Sequence, residues 1–137
     1  MNTKLMKTCR TLLFLSGTLL IMIGTLIIFS PVDFYAANNI ELGADVSLLN
    51  ELKAPAGLLL VAGLFMIFAM VRGQQADMAL GLASLIYLSY AVSRSLSMSF
   101  DGMPAAGLVQ ATALEGVLGL ACLVILMLRR TQPRRAV

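Results

Sequence analysis

Histidine is absent from this 137-residue chain. That absence removes a Ser-His-Asp triad, an HExxH zinc site and haem ligation through imidazole. Cysteine is nearly absent too: Cys9 and Cys122 stand far apart, so there is no CxxC redox motif. Charge is the third scarcity, at 12% of residues, against about a quarter in a soluble domain. In its place stands 59% hydrophobic residues, the composition of a membrane protein rather than a water-soluble one. The net charge of +3 does not mark a nucleic-acid partner, because the basic residues sit at helix ends and in the tail and not on one soluble face. No metal and no cofactor are expected.

Four long apolar runs follow one another. Thr11 to Phe29 has about 19 residues, close to the roughly 20 that cross about 30 Å of hydrocarbon. Lys4, Lys7 and Arg10 ahead of it also suit a signal peptide. A removable signal has a shorter core of roughly 7 to 15 residues, however, and Ser30-Pro31-Val32 is no cleavage site, so an uncleaved first helix is expected. The other runs are 55–71, 78–98 and 105–128, with an outer loop over 30–53 and a basic tail over 129–137. The expected fold is all-α, a four-transmembrane-helix bundle forming one integral membrane domain over 1–137. The polar turn "RGQQAD" is short, so the second and third spans should form an antiparallel hairpin.

Basic residues are enriched in retained loops. With four spans, Lys4, Lys7, Arg10, Arg72, Arg129, Arg130, Arg134 and Arg135 share one side, and only Lys53 and Arg94 lie toward the other. Both termini are therefore expected in the cytoplasm. Cys9 and Cys122 fall toward that reducing side, where a structural disulfide is not expected. The tail "RRTQPRRAV" reads as a basic tether near anionic lipid.

The polar residues inside the spans need partners. Tyr87, Tyr90, Arg94 and Asp101 share one stripe of the third helix, and Ser89, Ser93 and Ser97 form an adjoining small-residue ladder that would let a neighbouring backbone come close. On the fourth helix Thr112, Glu115, Gly119 and Cys122 share a face. A rise of 1.5 Å per residue puts Glu115 roughly 15 Å and Arg94 roughly 6 to 9 Å below the outer boundary. An unpaired arginine or aspartate at a helix centre costs about 2.5 to 3.5 kcal/mol, and such residues usually pair inside a bundle. Arg94 and Glu115 are therefore expected to form a buried salt bridge across the third and fourth helices, with Tyr87 and Tyr90 beside it. In "NELKAPAG", Pro55 either interrupts a helix or occupies its first turn; both readings leave Glu51 and Lys53 at the outer mouth. Glu51 and Asp101 are expected to join Arg94, and Lys53 either completes the cluster or reaches the headgroups. Gly17 and Gly24 on the first helix, and Ala79 and Ala83 on the third, offer small faces for packing within one chain or between copies.

The motifs "ELKAPAG", "YLSYAVSRSLSM" and "DGMP", followed by Glu115, cover most of the chain in fixed order. As a set they resemble the bacterial membrane family of domain of unknown function 4345. The resemblance implies a multi-pass protein of four helices in the bacterial inner membrane and singles out Glu51, Arg94, Asp101 and Glu115. It carries no established activity. Family members more often have arginine where this chain has Lys53.

Three functional readings follow. In the first, the protein is not an enzyme, and a polar cluster near the outer side binds a small or lipidic molecule or docks a membrane partner or a second copy. In the second, Glu115 exchanges protons in a small transporter or oligomeric channel. The third is an enzyme acting on a lipid or quinone; it ranks last, since no activated nucleophile or cofactor fingerprint is visible.

Overall fold

Apolar runs of membrane-crossing length each become one helix. The computed structural model describes residues 3–131, with α1 at Thr3–Phe29, α2 at Pro31–Ala36, α3 at Val46–Arg72, α4 at Ala76–Asp101 and α5 at Ala106–Thr131. Among the described residues there is no strand. Helices α1, α3, α4 and α5 are long and apolar enough to cross a membrane, giving an all-α bundle of four such helices in the setting of a lipid bilayer. Arg134 and Arg135 of the basic tail lie outside the described residues.

Local chemistry sets the helix ends. The Asp45 carboxylate accepts from the backbone N–H groups of Ser47 and Leu48 at 2.8 and 3.2 Å, an N-cap that starts α3 at Val46. Pro55 therefore lies inside α3. Having no N–H, it leaves the Glu51 carbonyl without its helical donor, at a position exposed on the surface. Gly73, at φ +74°, ends α3, and Gly102, at φ +99°, ends α4; both are conformations that a side chain resists. Part of the expected outer loop is helical. Pro31 opens α2 with Asp33 in its first turn, an arrangement suited to the missing proline N–H and to the positive end of the helix dipole.

Glycine decides which helices meet most closely. Antiparallel α1 and α3 touch backbone to backbone, such that a methyl on Gly63 would stand 2.6 Å from the Gly17 carbonyl oxygen and one on Gly24 would stand 2.7 Å from that of Ala56. Across α4 and α5, a methyl on Gly119 would meet Leu88 at 2.7 Å. These are the two largest interfaces. The expected hairpin of the second and third spans, α3 and α4, is adjacent but less extensive, because no glycine brings those two backbones together. Gly17, Gly24, Ala79 and Ala83 are all buried within the chain.

The bundle is closed at one end and open at the other. Leu13, Met66, Ala69, Ala79, Leu80 and Cys122 form a fully enclosed core toward the chain termini. Beyond Tyr87 on α4, and before Gly119 on α5, no residue is buried. The boundary is a polar seam: the Tyr87 hydroxyl donates to the Ser16 carbonyl at 2.8 Å, and Ser16 Oγ lies 3.7 Å from Cys122 Sγ. Tyr87→Phe should lower stability by about 1 kcal/mol, the net worth of one buried hydrogen bond, as read from unfolding in mixed detergent micelles.

At the closed end Arg129 on α5 pairs through Nε with Asp77 on α4. Asp77 is the more open partner, with its side chain 37% exposed. Asp77→Asn should therefore cost about 1 kcal/mol or less, and the same titration at high salt should shrink the difference.

Candidate functional site: a cavity at the open end

Helical spacing carries Tyr87, Tyr90 and Arg94 along the inner stripe of α4. Arg94 Nε stands 3.2 Å from Glu115 Oε2 on α5, and its guanidinium carbon lies 5.9 Å from the centre of the Tyr90 ring, within reach of a cation–π attraction. The expected pair forms, but it is not the expected buried salt bridge. The Arg94 side chain is 33% exposed and that of Glu115 13%, because the open halves of α4 and α5 contain no fully buried residue. Nε and Oε2 are themselves shielded, yet among the described residues neither has a hydrogen-bond partner. Their attraction is Coulombic, with hydrogen-bonding capacity unspent.

Beside the pair lies a cavity of about 380 Å³ between all four long helices, roofed by α2 and the turn after it. Leu19 and Ile23 of α1 and Leu59 of α3 make an aliphatic wall, while Tyr35, Asn38, Tyr90, Arg94 and Glu115 gather the polar groups. Asn38 is seated directly over Gly107, where a methyl would collide with its amide oxygen. Burial pushes the Tyr35 phenol above its ordinary range; neighbouring Tyr90 adds to the rise and Arg94 opposes it. Tyr35 therefore stays a hydroxyl donor at neutral pH.

The sequence-selected residues divide. Tyr87, Tyr90, Arg94 and Glu115 all line the cavity, although the Tyr87 hydroxyl is committed to Ser16. Glu51, Lys53 and Asp101 are exposed and do not join them. Leu52, Pro55, Ala56 and Leu59 are the α3 residues that face the cavity, and successive helical residues point about 100° apart, which turns Glu51 and Lys53 away. Asp101 lies seven residues beyond Arg94, roughly 10 Å along the axis, and accepts instead from Ser97 Oγ at 2.9 Å.

The serine ladder also departs from expectation. Ser89, Ser93 and Ser97 are exposed, and with Tyr90 and Arg94 they line a shallow groove on the flank of α4. Among the described residues no neighbouring backbone fills that groove; the Ser89 hydroxyl donates back to the Leu85 carbonyl at 2.6 Å. Tyr35 and Asn38 are the residues that the sequence did not single out. Their signal was the amphipathic stretch "FYAANN" between two spans, which resembles an ordinary loop until α2 folds over the bundle.

A family model described as "Domain of unknown function (DUF4345)" matches residues 8–126. The chain belongs to the DUF4345 family. The DUF4345 match takes in the whole cavity lining, from Leu19 to Glu115, while Arg129 of the closed-end pair falls beyond it. Neither a search of curated proteins nor one of solved structures yields a match.

Proposed function

We propose that this DUF4345 protein is a non-enzymatic multi-pass membrane protein that holds a small or lipidic molecule in the cavity at its open end. One observation carries this reading: Arg94 and Glu115, whose shielded Nε and Oε2 have no hydrogen-bond partner among the described residues, line a largely apolar cavity of about 380 Å³ together with other polar groups, a size and lining suited to ligand pockets. Tyr35, Asn38, Tyr90, Arg94 and Glu115 supply its polar lining. The basic-residue bias places the chain termini in the cytoplasm and the α2 end outside, in an inner membrane. Glu51, Lys53 and Asp101 then stand at headgroup level around the mouth.

The exposed ladder of Ser89, Ser93 and Ser97 favours a second reading, in which α4 receives a helix of another subunit or of a second copy. Proton-linked transport and lipid or quinone chemistry draw on the same residues and gain no separate support.

Filling the cavity separates ligand binding from folding. Ala111 lines it without being fully buried, so Ala111→Phe should occupy the space while leaving the closed-end core untouched. In nanodiscs, a fluorescent single-chain amphiphile should bind the wild type saturably and the variant at least tenfold more weakly, with unchanged thermal melting. Equal binding by both proteins would remove the proposed site.

A further inference from the structure

The polar end of the cavity balances its charges. Arg94 and Glu115 are the two charged side chains in the lining, and they face each other at 3.2 Å. The other polar groups of the lining are uncharged: Tyr35 from α2, Asn38 from the turn after it, and Tyr87 and Tyr90 from α4. The portions of α1 and α3 that line it, from Leu19 to Ile27 and from Leu52 to Leu59, bring only apolar side chains.

A charged headgroup entering this space would have to take its counter-charge from the pair. An anion drawn to Arg94 leaves Glu115 uncompensated, and a cation drawn to Glu115 leaves Arg94 so, in surroundings where unpaired charge is costly. An uncharged head that both donates and accepts meets neither difficulty. It can accept from the guanidinium and the Tyr35 and Tyr90 hydroxyls, and donate to the Glu115 carboxylate or the Asn38 side-chain carbonyl, with the pair intact. Size narrows the choice further. About 380 Å³ is the room of roughly a dozen water molecules at about 30 Å³ each, which suits one modest hydrocarbon chain and a compact head.

We propose that the cavity selects a single-chain amphiphile with an uncharged, hydroxyl- or amide-bearing head, which bridges Arg94 and Glu115 while its chain lies along α1 and α3. This rests on the cavity being a ligand site at all.

Three probes of equal chain length test it in nanodiscs: 1-decanoylglycerol, decanesulfonate and decyltrimethylammonium, each corrected for its partition into the bilayer. The wild type should bind the glyceride at least tenfold more tightly than either ion. Glu115→Gln leaves a net positive lining and should turn the preference toward the sulfonate; Arg94→Gln should turn it toward the ammonium. A wild type that binds either ion as tightly as the glyceride, or variants that keep the wild-type order, would overturn the selectivity. Failure of the site itself looks different: Ala111→Phe would then bind all three probes as well as the wild type does.

Discussion

Gly63→Ala should be among the most damaging small substitutions in this protein, costing about 2–3 kcal/mol, at the upper part of the range for overpacking a close contact. The added methyl would stand 2.6 Å from the Gly17 carbonyl oxygen and 2.9 Å from the Ile21 backbone nitrogen. Backbone cannot rotate aside as a side-chain tip can, so α1 and α3 must separate. Lipid chains are as apolar as the side chains they would replace. Helix association in a bilayer therefore depends on the close van der Waals packing that small residues permit, and that packing is what the methyl removes. Gly57 supplies the control on the same helix, since a methyl there would have nothing within 4 Å. Gly57→Ala should be neutral or stabilising by up to about 1 kcal/mol through helix propensity. Unfolding of the two variants in mixed micelles should thus differ in sign as well as size.

The second large effect is expected at the cavity. Arg94→Met removes the guanidinium paired with Glu115 and leaves a carboxylate whose side chain is only 13% exposed. Insertion scales put an unpaired charged residue at a helix centre at about 2.5–3.5 kcal/mol. Arg94 is itself one-third exposed, so the loss should fall nearer about 2 kcal/mol, as expected for a pair partly screened at the surface. Adding Glu115→Leu should then restore stability to within about 1 kcal/mol of the wild type, since exchanging a whole ion pair for apolar side chains is often neutral or better. Stability would return in the double variant while tight glyceride binding would not, and that contrast separates the folding role of the pair from its proposed role in binding.

Why the sequence revealed some of this and not the rest follows from the solvent. The four crossings were legible because hydrocarbon thickness demands length, and length is written directly in the runs from Thr11, Pro55, Met78 and Ala105. The meeting of Arg94 with Glu115 was legible because an isolated charge at that depth is too costly to leave alone. Which face of each helix turns inward was harder to read, because core and lipid are equally apolar and the usual contrast between a hydrophobic and a polar face is muted. The serines at 89, 93 and 97 therefore looked like a packing ladder but lie on an open flank. Pro55 was compatible with two helix starts, and the choice turned on Asp45, whose capping carboxylate commits the chain to helix from Val46. Glu51 and Asp101 were drawn to Arg94 by charge alone; helical rotation and axial rise carry them elsewhere. Tyr35 and Asn38 belong to the cavity only through the tertiary fold that lays α2 across it.

A charge exchange tests most directly whether α4 and α5 are coupled through Arg94 and Glu115. Stability in mixed micelles would be measured for Arg94→Glu, for Glu115→Arg, and for the two together. If the groups attract across the helices, each single change sets like charges face to face and should cost about 2 kcal/mol or more, while the double exchange should recover most of it, a coupling well above the roughly 0.5 kcal/mol scatter of independent sites. Losses that simply add would mean the two side chains do not act on each other, and the polar end of the cavity would lose its basis.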